Sequence, residues 1–176
     1  MVTVEIEGFL LQRKLDLALR KIVGESWSGA EVKVGGTRYR WDMTYTRFGQ
    51  TVAVEFDGDE HYRDTRKIRV DRIKDEIAHE NGYSVVRFPY WIQLTTETLW
   101  HYFGLQANVI QSFPHGFIDS RAKLPASFCE LGIERFKDEM AWLSDDVRNR
   151  VLDSLADWCA KYEKHYVVPS ELSDWI

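Results

Sequence analysis

The stretch VAVEFDGDEHYRD (residues 52–64) begins as a β-strand and ends as a knot of charge. From Val52 to Asp57 apolar and polar positions alternate, which predicts a half-buried strand with Val52, Val54 and Phe56 facing in. Glu55, Asp57, Asp59 and Glu60 then crowd with His61 into the seven residues 55–61. Glu55 and Asp57 lie two residues apart on one strand face, roughly 7 Å along the chain, so their oxygens can converge. Two carboxylates about 4 Å apart repel by about 4 kcal/mol at an effective dielectric near 20. Protonation, a basic neighbour or a divalent cation must offset that cost. Oxygen donors without cysteine suit magnesium, manganese or calcium rather than zinc, and magnesium is usually held by one or two carboxylates plus water and phosphate oxygens.

Upstream, TRYRWDMTY (residues 37–45) alternates with Tyr39, Trp41, Met43 and Tyr45 on one face and Arg38, Arg40, Asp42 and Thr44 on the other. A connection containing Gly49 predicts a hairpin, which sets Asp42 opposite Glu55 to Asp57 on the carboxylate side. Downstream, KIRVDRIKDEIAHENGYSVVRF (residues 67–88) changes period. Val70, Ile73 and Ile77 fall at helical spacing, Asn81-Gly82 closes the helix, and Tyr83 to Phe88 returns to a strand that Pro89 ends. The helix supplies a crossover, so the strands on either side of it are expected to be parallel and adjacent. An opening strand at Val2 to Ile6 and a helix at Phe9 to Ile22 precede this unit. Gly24 and residues 26–29 punctuate them. Beyond Pro89 the chain reads as helical, at Thr95 to Phe103, Phe128 to Leu143, and Asp145 to Tyr162 behind a Ser144 cap. The expected architecture is α/β, a mixed sheet flanked by helices over residues 1–92. Residues 93–176 form a helical extension packed on that core or standing as a small lobe.

With 176 residues, 44% hydrophobic and 14% aromatic, the chain is long enough for one sizeable core. Neither a signal-peptide pattern nor a long apolar run is present, which predicts a soluble, cytoplasmic protein with no membrane partner. Cys129 and Cys159 stand far apart and outside any Cys/His motif, so neither a disulfide framework nor a structural zinc site is expected. The net charge of −5 argues against coating nucleic acid by bulk electrostatics. Locally, however, Arg63, Arg66, Lys67, Arg69, Arg72 and Lys74 face only Asp64 and Asp71 within residues 63–74. A positive segment therefore abuts a negative site.

A divalent ion at such a site would polarise a phosphate, and His61, in the loop after Gly58, could accept or shuttle a proton. Phosphodiester hydrolysis is the reaction class this combination suits. YRWDMTY, VAVEFDGDEHY, DRIKD and ENGYSVVRF resemble, in order and spacing, the very-short-patch-repair-like branch of the PD-(D/E)XK endonuclease superfamily, over about residues 36–91. The resemblance implies a restriction-endonuclease-like core and a DNA substrate. It also implies Mg2+ as cofactor, with Mn2+ substituting. It makes Asp42 the metal-binding aspartate of the first strand and places Glu55 and Asp57 in the second acidic motif. His61 falls at a position tied to general-base or leaving-group chemistry. Asp71, Lys74 and Asp75 match the helix motif, with Lys74 where an arginine is usual. Trp41 replaces the proline of the superfamily name, and Glu55-Phe56-Asp57 replaces Glu-x-Lys, so His61 or Lys74 must do the work of the missing lysine. Which of Glu55 and Asp57 would touch the metal stays open. Arg40, Arg63, Arg66 and Lys67 are the expected phosphate contacts, with Asp71 and Asp75 in support.

Simpler readings compete for single residues. Asp42 alone would be a solvated strand residue paired with Arg38 or Arg40, and Glu55 and Asp57 might as well pair with the basic helix. His61 could cap a loop, Arg69 and Arg72 suit a solvated helix face, and Arg87 and Phe88 read as architecture. The combined expectation is a metal-dependent DNA endonuclease or nickase. The alternatives are a catalytically inactive nuclease-fold module for DNA binding or complex assembly, and an RNA-directed nuclease. The C-terminal helices offer a surface for a second copy or an accessory protein.

Overall fold

Strands β3 (Arg40–Arg47) and β4 (Gln50–Asp57) form an antiparallel hairpin at the centre of a four-stranded sheet. The computed structural model describes residues 1–33, 36–117 and 121–176. Phe48 and Gly49 turn the hairpin with φ of 50° and 79°, the positive values that tight hairpin loops require. β2 (Trp27–Lys33) pairs antiparallel with β3 and β5 (Ser84–Pro89) pairs parallel with β4, giving the order β2-β3-β4-β5. The crossover between β4 and β5 runs through α2 (Glu60–Arg63) and α3 (Thr65–Glu80). Asp64 caps α3 by accepting the Arg66 N–H, and Gly82 follows its end at φ 75°.

A second, two-stranded parallel sheet joins β1 (Thr3–Ile6) to β6 (Asn108–Gln111). Helices α1 (Gln12–Val23), α4 (Thr96–Phe103), α5 (Glu130–Trp142) and α6 (Asp145–Cys159) complete the fold. The result is an α/β protein with a mixed sheet flanked by helices. Leu15 and Leu19 of α1, Met43, Val54 and Phe88 of the sheet, and Phe136, Val151 and Leu155 of α5 and α6 belong to one hydrophobic cluster. Residues 1–92 and 93–176 therefore share a core. No helix among the described residues is long and apolar enough to cross a membrane.

Four local expectations change. β2 and β6 were not expected as strands: β2 is an exposed edge with a register shift at Trp27/Gly29, and β6 is four residues long, so neither shows a clean alternation. Trp41 leaves the face of Met43 and Tyr45 and packs with Ala53 and Ala78 in a separate small cluster. In α3, Ile73 is exposed while Ile68, Asp71, Lys74 and Ala78 are buried, so the helix turns a largely charged stripe inward. His61 sits in α2 rather than in a loop, and Ser144 precedes α6 without a side-chain capping bond.

Candidate functional site

The β3–β4 ladder ends at Met43–Val54, and beyond it side chains replace backbone partners. Phe56 N–H donates to Asp42 Oδ2 at 2.9 Å, and Asp42 N–H donates to Glu55 Oε1 at 3.3 Å. Each carboxylate thus holds the other strand's backbone beyond the last paired residues. Lys74 reaches in from α3, with Nζ 2.7 Å from Glu55 Oε1 and 4.7 Å from the centre of the Trp41 ring. Burial pushes Glu55 up to about 7, reinforced by the charge of Asp42 and opposed by Lys74. Burial raises Asp42 as well, against the Phe56 N–H and Lys74. Asp42 Oδ1 and Glu55 Oε2 accept no hydrogen bond from a described residue.

Asp57 goes elsewhere. It is completely buried, and Arg87 Nη1 lies 2.9 Å from its Oδ1 and 3.1 Å from its Oδ2. Arg135 of α5 donates to the same Oδ2. Arg87 also binds Asp75 at 2.8 Å, and Arg135 binds Glu139 at 2.8 Å while lying over the Tyr62 ring. Tyr62 Oη donates to Glu139 at 2.6 Å. Burial alone would raise the Asp57 pKa, but Arg87, Arg135 and His61 hold it well below the usual carboxylate range. His61 Nδ1 lies 2.6 Å from Asp71 Oδ2 and 3.1 Å from Asp57 Oδ1. Facing two carboxylates, Nδ1 is the donating nitrogen of the ring.

His61 and Asp42 line one cleft of about 690 Å3, together with Phe56, Gly58, Asp59, Glu60 and the exposed face of α1. Arg13 of α1 is the cleft's one guanidinium, is exposed, and pairs with no described acid. Of the expected phosphate contacts, Arg63 pairs with Asp59 at 2.8 Å, Arg66 reaches Asp64 only at 3.5 Å, and Lys67 is half-buried without an ion pair to a described residue. Arg40 is exposed and donates to the Glu31 carbonyl at 2.8 Å.

The expected trio of Asp42, Glu55 and Asp57 therefore divides into a pair joined through backbone N–H groups and a third locked by guanidinium groups. Two placements for a cation follow. Asp57, His61 and Asp71 offer atoms within 4.8 Å of one another. Both oxygens of Asp57 are already taken by guanidinium groups, however, and a divalent ion there would be repelled by Arg87 and Arg135. Asp42 and Glu55 each keep an oxygen that accepts from no described residue and face one cation, Lys74, where Asp57 faces two guanidinium groups, so they suit a hard cation better. Sequence reading missed Arg135 and Glu139, because nothing in α5 marks Arg135 as the partner of an aspartate 78 positions away or Glu139 as the partner of Arg135 and Tyr62. It read Arg87 as architecture and passed over Arg13, which lies outside every motif. No family model, curated protein or solved structure matches this chain.

Proposed function

We propose that this chain is a metal-dependent endonuclease or nickase that hydrolyses phosphodiester bonds in DNA, on a restriction-endonuclease-like core. One observation carries the reading: Asp42 accepts the Phe56 N–H and Glu55 accepts the Asp42 N–H, with Lys74 against Glu55 and His61 in the same cleft as Asp42. Holding two carboxylates so close costs stability unless a ligand repays it. Asp42 and Glu55 would hold Mg2+, or Mn2+ in its place. When bound, the ion supplies Lewis-acid polarisation of the phosphate.

The chain's own groups do the rest. Asp71 and Asp57 fix the His61 ring through Nδ1, leaving Nε2 to take a proton from water. Lys74 Nζ steadies Glu55 and brings to the site the positive charge that β4 lacks at position 57. Arg13 of the cleft and the basic run Arg63, Arg66 and Lys67 bind flanking phosphates. Asp57 becomes a positioning residue, tied to Arg87 and Arg135. That same saturation of Asp57 favours the second reading, a DNA-binding module without catalysis.

The test is incubation of the purified protein with supercoiled plasmid, single-stranded DNA and RNA, in magnesium, manganese or chelator, beside Asp42→Ala. Nicking or cutting of DNA that needs metal and vanishes in the variant is expected. Binding without cleavage would establish the second reading, and cleavage of RNA alone would redirect the first.

A further inference from the structure

A second cavity, of about 320 Å3, adjoins the cleft and shares Leu11 and Phe56 with it. Phe9, Tyr90, Gln93 and Ala122 are among its other walls. The lining is mostly aromatic and aliphatic: Phe9 stacks on Phe113 with ring centres 4.5 Å apart, and Tyr90 meets Phe117 edge-on at 6.0 Å. Phe56 links this cavity to the chemistry, since its own N–H holds Asp42 Oδ2 at 2.9 Å.

Two polar side chains, Arg121 and Gln93, interrupt the apolar wall. Gln93 is only 1% exposed, and its Oε1 accepts from Leu10 N–H at 2.8 Å and Gln111 Nε2 at 3.1 Å. The backbone donor at Leu10 settles which end of the amide is oxygen. Gln93 Nε2 is thereby left as the donor end of the amide, and it donates to no described residue. A donor that the protein leaves unused on so enclosed a side chain marks a place for a ligand atom or water.

We propose that this cavity receives an unpaired nucleobase beside the phosphate that is cut. The aromatic walls stack against the base, and Gln93 Nε2 donates to a ring carbonyl or ring nitrogen on its edge. An aliphatic guest would leave that donor unanswered, and an organic cation would find no carboxylate in the lining and would meet Arg121 there. A base inside a duplex cannot enter, so the substrate is single-stranded or has an unpaired nucleotide at the cut. This rests on the nuclease reading and narrows its substrate.

The test is equilibrium binding, with chelator present, to a short labelled single strand, to the same strand with abasic nucleotides, and to the matching duplex. Gln93→Glu keeps the acceptor for Leu10 and replaces the donor with oxygen, and Ala122→Leu fills the rim. The wild type should bind the base-bearing strand about tenfold more tightly than the abasic strand. Both variants should lose that preference while binding the abasic strand as the wild type does, which also shows that they fold. Equal affinity of the wild type for the two strands, or an undiminished preference in both variants, overturns the proposal. Metal-dependent cutting that ignores the presence of bases overturns it alone; absence of both binding and cutting overturns the nuclease reading with it.

Discussion

Glu55 is the residue whose protonation should report the site. Its folded pKa of about 7 lies above its ordinary 4.5, so the fold binds a proton there that the unfolded chain releases. The metal-free protein should lose stability as pH rises from 4.5 to about 7, on the order of 3 kcal/mol from this group. Metal must displace that proton, so magnesium should raise the Tm more at pH 8 than at pH 6, and should do nothing to Asp42→Asn. Asp57 has the opposite sign: its pKa is depressed, and its contribution, present at neutral pH, fades only in strong acid. Arg135→Met should cost about 3–5 kcal/mol by leaving Asp57 and Glu139 short of a buried partner. It should also leave the magnesium-dependent rise in Tm intact. A site at Asp57, His61 and Asp71 would instead bind metal more tightly once that guanidinium is gone, so thermal melts with and without magnesium separate the two placements.

Helix α3 shows why periodicity can find an element and still misjudge its face. Val70, Ile73 and Ile77 have helical spacing, yet the helix buries Ile68, Asp71, Lys74 and Ala78, because Arg87, His61 and Glu55 provide partners for the charges. The sequence contains those partners but not their arrangement. The α2–α5 contact is equally specific: Cys129 N–H donates to the Tyr62 carbonyl at 3.0 Å, and a Cβ on Gly132 would overlap that same oxygen. Only glycine lets α5 approach closely enough for Arg135 to reach Asp57. Gly132→Ala should therefore destabilise the protein by about 2 kcal/mol or more and slow cleavage through His61, measured by urea melts and plasmid nicking. Gly132→Ala and Arg135→Met should be less than additive, since both loosen one contact.

The molecule as a whole should unfold once. The large cluster runs from Val4 to Leu172 and holds Trp91, while Trp41 reports the smaller cluster against α3. Far-ultraviolet circular dichroism and tryptophan fluorescence should give coincident urea transitions, and a fragment ending near residue 92 should not fold, having lost α5 from around Asp57. Separate transitions would make the C-terminal region an independent lobe. The sequence by itself determined the hairpin, the crossover helix, the parallel pairing of β4 with β5 and the cast of acidic residues, because alternation, helical spacing and turn residues are local signals. Only the tertiary structure decided which carboxylates remain open. Asp42 and Glu55 meet where a ladder ends, whereas Asp57 is claimed by Arg87 and Arg135. Such pairing depends on three-dimensional proximity between distant segments, and local pattern carries no record of it.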